Sequence, residues 1–154
     1  MSSRSLLFRW ITDDLVVVLG TKAFYDDPDW DSFVGSFTPR RRAAGDIRLI
    51  VYNAKAGPTP AQQARLRCTT RCVRVREAVV TSSPFARAAV NALRLFGLPM
   101  IAMPPDREDD AFRHLSLSPE EARLVHENVV LMRAKCNARH ERKRSNSTAP
   151  HATI

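Results

Sequence analysis

The feature that most constrains the fold is the segment 15–19, in which every residue is a leucine or a valine. Successive side chains of a β-strand point to opposite faces, so a strand that is apolar at every position must be covered on both faces. A second apolar run at residues 6–11 precedes it, and Thr12-Asp13-Asp14 between the two has the composition of a turn. The two runs therefore predict a β-hairpin whose second strand is fully buried.

Five helix-start signals follow, and apolar runs with strand character separate most of them. Each start has a Ser, Thr or Asp that can accept a hydrogen bond from a free backbone N–H, and four of the five are followed at once by Pro. The expected N-cap residues are Asp27, Thr59, Ser83, Asp106 and Ser118, with capping boxes to Gln62 and Glu121. Strands are expected at residues 47–52, 73–81 and 100–103.

The resulting order is β-β-α-β-α-β-α-β-α-α, which predicts an α/β fold. We expect a small mixed, mostly parallel sheet of about five strands, with helices packed on it through right-handed connections. We expect one domain over residues 1–138, including an amphipathic C-terminal helix over residues 119–138. The segment 139–154 is basic and polar, and we expect it to be disordered.

The helix that begins at Ser83 is the clearest helix of the expected core. Its apolar face is formed by Phe85, Ala88, Ala89, Ala92, Leu93 and Phe96, and its polar face by Arg87, Asn91 and Arg94. Gly97 is a suitable stop signal.

With these elements in order, the chain resembles the STAS domain family, the anti-sigma-factor-antagonist and sulfate-transporter domains, and most of all its divergent lipid-transfer-like branch. The segments that carry the resemblance are 14–18, 47–53, 78–83 leading into 84–96, 98–104 and 111–115. The resemblance spans residues 6–117. It implies a regulatory protein–protein interaction module, not an enzyme.

One segment departs from the family pattern. Phosphorylatable STAS antagonists have an Asp-Ser-Ser-Gly-like turn before the helix that follows the central strand, and here residues 53–60 read NAKAGPTP. Thr59 is the only hydroxyl in that segment, and its capping role is a sufficient explanation for it. Whether a phosphorylation switch exists is therefore left open.

A candidate contact site lies where the strand 73–81 passes into the next helix. A helix N-terminus at the carboxyl end of a strand is a common position for an anion or a partner in open α/β sheets. The residues expected to contribute are Thr81, Ser82, Ser83, Arg87, Asn91 and Arg94. An ordinary N-cap at Ser83 explains the same pattern, and no glycine-rich loop is present to cradle a phosphate.

Catalysis and metal binding have little support in the sequence. There is no Gly-x-Ser-x-Gly motif, and no nucleophile is paired with a base. The three cysteines, Cys68, Cys72 and Cys136, have no zinc-site spacing, although basic neighbours of the first two could activate a thiol. We expect no catalytic residues, no cofactor and no metal.

The net charge of +8 is concentrated near the C-terminus. Residues 133–144 contain six basic side chains and one acid, Glu141, so that this segment alone carries +5. We expect weak polyanion contact there, and the apolar stripe of the C-terminal helix could dock on the domain or on a second copy. No apolar run is long enough to span a membrane and no signal peptide is evident, so a cytoplasmic location is expected.

The sequence supports two hypotheses for the function. The first is a non-catalytic interaction module with a protein partner of unknown identity. The alternative is binding of a small apolar or anionic ligand, such as a lipid or a nucleotide, because the apolar residues of the core could line a pocket or fill it.

Overall fold

The computed structural model describes residues 4–22, 24–40, 45–52 and 57–147, without the side chains of residues 140 and 143–147. The strands are β1 (Leu6–Trp10), β2 (Leu15–Gly20), β3 (Asp46–Tyr52), β4 (Arg74–Val80) and β5 (Met100–Met103). The helices are α1 (Asp27–Gly35), α2 (Pro60–Thr69), α3 (Pro84–Arg94), α4 (Glu108–His114) and α5 (Pro119–Ser147), and a short 3-10 turn (Pro105–Arg107) precedes α4.

The five strands form one mixed sheet in the order of the chain, β1-β2-β3-β4-β5. β1 is antiparallel to β2, and the other three pairs are parallel. The predicted hairpin is present, and the Thr12 hydroxyl accepts hydrogen bonds from the backbone N–H groups of Asp14 and Leu15 in its turn. The α/β class and the mostly parallel sheet are therefore confirmed.

Each face of the sheet has its own apolar core, as the composition of β2 requires. Val16 and Val18 join the core beneath α1, which is rich in aromatic residues, while Val17 and Leu19 join the core beneath α4 and α5. All six residues of β2 are buried. Among the described helices, none combines the length and the apolar character that crossing a lipid bilayer requires.

A buried arginine joins β3 to the elements around it. The Arg48 side chain is only 11% exposed, and its guanidinium donates to both carboxylate oxygens of Asp14, at 2.8 and 3.2 Å, and to both of Glu121, at 2.6 and 3.0 Å. Glu121 also accepts from the backbone N–H of Ser118 and completes the predicted capping box of α5. The first turn of α5 is thereby attached to the sheet.

The cap of α1 differs from the prediction. We expected Asp27 at the N-cap, but Asp27 is the first helical residue and Asp26 precedes it without a side-chain capping bond. The Asp26 carboxylate pairs with Lys22 at 2.7 Å, and Asp27 accepts from Gln62 and Arg65 of α2. The two carboxylates therefore bond to side chains outside α1 and do not cap the helix.

The face that α3 presents to the sheet is also different from the predicted one. Phe85 and Phe96 are 79% and 82% exposed, and the helix packs instead through Ala86, Val90 and Leu93. The Asn91 side chain accepts from the backbone N–H of Ala102 in β5, and the Arg87 guanidinium donates to the Thr81 carbonyl. These two polar side chains reach the sheet and set the rotation of the helix, which turns the phenylalanines outward.

The C-terminal helix is longer than predicted. We expected it to end at about Ala138 and the segment 139–154 to be disordered, whereas α5 continues to Ser147. Arg139, Glu141 and Arg142 are good helix formers, and neither Gly nor Pro interrupts the segment before Pro150. Residues 148–154 lie outside the described residues. The predicted apolar stripe is confirmed, since Ala122, Val125, Val129 and Met132 pack on the sheet.

The Arg48 contacts predict an acid-sensitive component of stability. Replacement of Arg48 by Met leaves two partly buried carboxylates unpaired, so the free energy of unfolding at pH 7 should fall by about 3 kcal/mol. The hydrogen bonds from Arg48 lower the pKa of Glu121, and those from Arg48 and Thr12 outweigh burial and lower the pKa of Asp14. This stabilisation is complete above about pH 5 and is lost as pH falls through the lowered pKa values.

Urea denaturation of wild type and R48M between pH 7 and pH 3 measures this difference. Arg123 is the matched control because it pairs with Glu120 and Glu127 on the exposed face of α5, where water screens the charges and loss of the pairs should cost much less than the loss in R48M. Equal losses in R48M and R123M would refute the special role of Arg48.

Candidate functional site

An apolar cavity of about 300 Å³ between the sheet, α2 and α3 has the character of a ligand site. This volume is at the lower end of the range of roughly 300–1,000 Å³ that small-molecule pockets occupy. The cavity lies on the face of the sheet that also carries α1. Its position follows from the fold, because α2 and α3 are separate crossover helices that leave a gap between them.

The floor of the cavity is the central part of the sheet. β3 and β4 supply Leu49, Val51, Val75 and Val79, whose side chains point to the same face because the two residues in each strand are an even number of positions apart. β2 adds Val18 at the inner side. The floor is therefore an apolar surface with a fixed, strand-based geometry.

Aromatic side chains close the inner end. The rings of Tyr25 and Trp30 are stacked with centroids 5.6 Å apart, and Phe33 meets Trp30 edge to face at 5.4 Å. The buried Gln62 amide donates to the Tyr25 carbonyl at 2.9 Å, and its backbone carbonyl accepts from the Trp30 indole at 2.8 Å. One α2 residue thus holds both aromatic residues in place.

The outer side of the cavity is bounded by the two helices. α3 contributes Phe85 and Ala89, both exposed, and α2 contributes Leu66 and Arg67. The guanidinium of Arg67 is at the exposed side, so charge is available at the entrance and not in the apolar interior. A ligand would enter past the outer surface of α3.

One carboxyl group interrupts the apolar lining. Glu77 of β4 lies between Val75 and Val79 on the same face of the sheet, and burial raises its pKa to about 7. No described residue donates a hydrogen bond to its carboxylate. Burial, together with the nearby Glu77 charge, also raises the pKa of Tyr25 to about 12. Near neutral pH, Glu77 is therefore poised between a neutral acid and an anion.

The residues of the predicted contact site lie together, but most of them serve the structure. Ser83 caps α3 by accepting from the Ala86 N–H, and Thr81 accepts from the Ser83 N–H. Arg87 and Asn91 are engaged with the Thr81 carbonyl and with β5. The exposed members are Ser82, Asn91 and Arg94.

Glu77 is the candidate site residue that the sequence analysis missed. The available signal was an acid at a position facing the core, within a strand whose neighbours Val75, Ala78 and Val79 were assigned to the buried part. An inward-facing carboxylate is costly unless it is paired or neutral, which marks it as a candidate for function.

The remaining sequence features considered for chemistry are the cysteines, the possible metal ligands and the turn before α2. Cys68 and Cys72 are exposed free thiols, and burial raises the pKa of the half-buried Cys136. Within the described part of the chain, no three His, Cys, Asp or Glu side chains are grouped so as to hold a metal ion. Residues 53–56 of the turn compared with the phosphorylatable STAS antagonists lie outside the described residues.

No family model, no curated protein and no solved structure matches the chain. The cavity is therefore interpreted from its own residues.

The raised pKa of Glu77 predicts a stability profile opposite in sign to that of the Arg48 contacts. A carboxyl group with a folded pKa near 7 and an unfolded value near 4 stabilises the fold at low pH, and that contribution is lost as pH rises from about 4 to 7. Glu77→Gln should remove this dependence and raise the free energy of unfolding at pH 8 by on the order of 2 kcal/mol.

Urea denaturation at pH 5.5 and pH 8, or thermal melting at the same two values, measures the effect. Asp46→Asn is a suitable control because Asp46 is an exposed acid at the start of β3. A wild-type profile that matches that of E77Q over this range would show that the carboxylate is solvated.

Proposed function

We propose that this chain is a binding protein for a small, mainly apolar ligand that occupies the cavity between α2, α3 and the sheet. The observation that carries the proposal is a mainly apolar cavity whose described lining includes a single carboxyl group, the partly buried one of Glu77. Small-molecule sites commonly combine an apolar lining with a few polar groups that orient the ligand. The expectation that the chain is not an enzyme is part of this proposal.

The character of Glu77 narrows the ligand class. An anionic group placed against Glu77 would meet a like charge in a poorly solvated site, which is costly. A hydroxyl, amide or amine N–H would donate to the carboxylate and replace the missing hydrogen bond. The ligand is therefore neutral or cationic where it meets Glu77, with an aromatic or aliphatic body against Trp30 and Phe33.

The kinship with STAS domains and a regulatory, cytoplasmic role are kept as part of the proposal. They are supported by the order of strands and helices along the chain and by the segments that carry the resemblance. The apolar cavity is compatible with the lipid-transfer-like branch to which the chain was compared.

Binding of the neutral apolar probe N-phenyl-1-naphthylamine tests the proposal. We expect saturable binding with one site per chain, measured by the increase in probe emission. Ala89→Trp places a large side chain at the entrance and should weaken binding by about tenfold or more, because it competes for the same space. Ala88→Trp is the matched control, since Ala88 is an exposed neighbour that does not line the cavity.

Val75→Phe, which fills the floor, provides a second variant that does not depend on the entrance. Circular dichroism establishes that each variant is folded. Unchanged probe affinity in both A89W and V75F would mean that the probe binds elsewhere and would remove the support for a cavity ligand.

The interaction-module hypothesis retains one specific observation in its favour. Leu95 and Phe96 at the end of α3 are 86% and 82% exposed, beside the exposed Arg94 of the predicted contact site. Large apolar side chains that remain in water are a common property of protein-binding surfaces. We propose this end of α3 as the contact surface for a protein partner or a second copy of the chain.

Sedimentation velocity over a range of concentrations tests self-association through this surface. If it mediates self-association, Leu95→Ser with Phe96→Ser should reduce the dimer fraction, while the same changes at Val130 and Leu131 on exposed α5 should not. The reverse pattern would place self-association on the C-terminal helix, as the sequence analysis allowed. A monomer at all concentrations would exclude homo-oligomerisation and leave a different protein as the partner.

A further inference from the structure

A second cleft lies on the opposite face of the sheet, between the edge strand β1 and the second half of α5. Its volume is about 500 Å³. Leu7 and Phe8 of β1 form one side, and Leu131, Met132 and Cys136 of α5 form the other. The cleft exists because α5 covers β2 and leaves the outer strand β1 partly uncovered.

The cleft is lined by cations from three separate parts of the chain. Its basic residues are Arg4, Arg9, Lys22, Lys135, Arg139 and Arg142. No described acidic residue is part of the lining. Lys22 is paired with Asp26 at 2.7 Å, but the other five form no ion pair with any carboxylate in the described part of the chain.

Some arginines elsewhere on the surface are paired with acids: Arg65 with Asp27 and Asp31, and Arg123 with Glu120 and Glu127. In the cleft, by contrast, cations of α5 lie opposite Arg9 of β1 and Arg4 just before it, and none of these forms an ion pair with a carboxylate of the described residues. Like charges held close together destabilise a fold unless a counter-charge enters.

The positions of the basic residues within α5 and β1 direct their side chains toward the cleft. Lys135, Arg139 and Arg142 are separated by four and three residues, so they project from one side of α5. Arg9 lies on the face of β1 that points toward α5, as does Leu7, because residues two apart in a strand share a face. The charges are therefore directed into one space and not spread around the helix.

We propose that this cleft binds a ligand with clustered phosphoryl groups, either as a free phosphate compound or as the headgroup of a lipid. Four of the six cations are arginines, whose planar guanidinium groups form paired hydrogen bonds with phosphate oxygens. The apolar side chains of Leu7, Leu131 and Met132 provide contact area for a non-phosphate part of the same ligand. The proposal does not depend on the cavity beneath α2 and α3, which is on the other face.

Isothermal titration with inorganic triphosphate tests the free form of the ligand. Vesicles of phosphatidylcholine with a small fraction of phosphatidylinositol bisphosphate test the lipid form, compared with phosphatidylserine vesicles of equal surface charge. Arg139→Glu with Arg142→Glu should weaken binding of the effective probe by about tenfold or more, because two guanidinium groups that would bond to phosphate oxygens are replaced by carboxylates that repel them.

The control double variant is Arg71→Glu with Arg74→Glu, which changes the net charge by the same amount at exposed residues that do not line the cleft. Retained binding in this control together with loss in the cleft variant supports the proposal, and the probe that binds identifies the source of the phosphate. Equal losses in both double variants would overturn the proposal and show a general charge effect. Equal affinity for the two kinds of anionic vesicle, or no binding of either triphosphate or vesicles, would also overturn it.

Discussion

Arg48 is the residue on which the arrangement of the two faces depends. It places a full charge in the middle of a sheet, and such a charge is tolerated only where its partners are held in position. Asp14 comes from the hairpin turn, and Glu121 comes from the first turn of α5. The contact therefore does more to specify position than to add stability, because the helix can satisfy the arginine from one location only.

The position of α5 has consequences at its other end. From its attachment near Asp14 the helix runs along β2, and Val125, Val129 and Met132 pack in succession on the sheet. Its second half then reaches the end of β2 with Lys135, Arg139 and Arg142 facing β1. The convergence of the basic residues is thus a geometric result of an ion pair at the opposite end of the helix.

The two faces of the sheet differ in how completely they are filled. Beneath α4 and α5, large side chains such as Phe112, Leu115 and Met132 are buried against the strands. α2 brings only one large apolar residue, Leu66, and α3 packs through smaller side chains such as Ala86 and Val90. The helices that cross over β3 and β4 lack the volume to close the space beneath them, which explains why the cavity is on this face.

The elements that were predicted correctly from the sequence are those determined by residues close to one another in the chain. The buried strand β2 follows from its uniform apolar composition, and the capping boxes at Thr59 and Ser118 follow from residues three positions apart. The rotation of α3 was predicted wrongly, because the side chains that determine it, Arg87 and Asn91, bond to groups outside the helix. Apolar periodicity records which faces of a helix could be buried, but it contains no information on such contacts.

The candidate sites were harder still to predict from the sequence, because they depend on contacts between distant parts of the chain. Glu77 could be recognised as an inward-facing acid from its strand, but the cavity around it depends on the separation of two helices. The basic segment near the C-terminus was visible as a charge excess, and the sequence did not show that Arg4 and Arg9, more than a hundred residues away, face it. The sequence analysis combined apolar and anionic ligands in one alternative. In the structure the two kinds of lining lie on opposite faces: Glu77 lies in the apolar lining of the cavity, and cations line the cleft with no described acid among them.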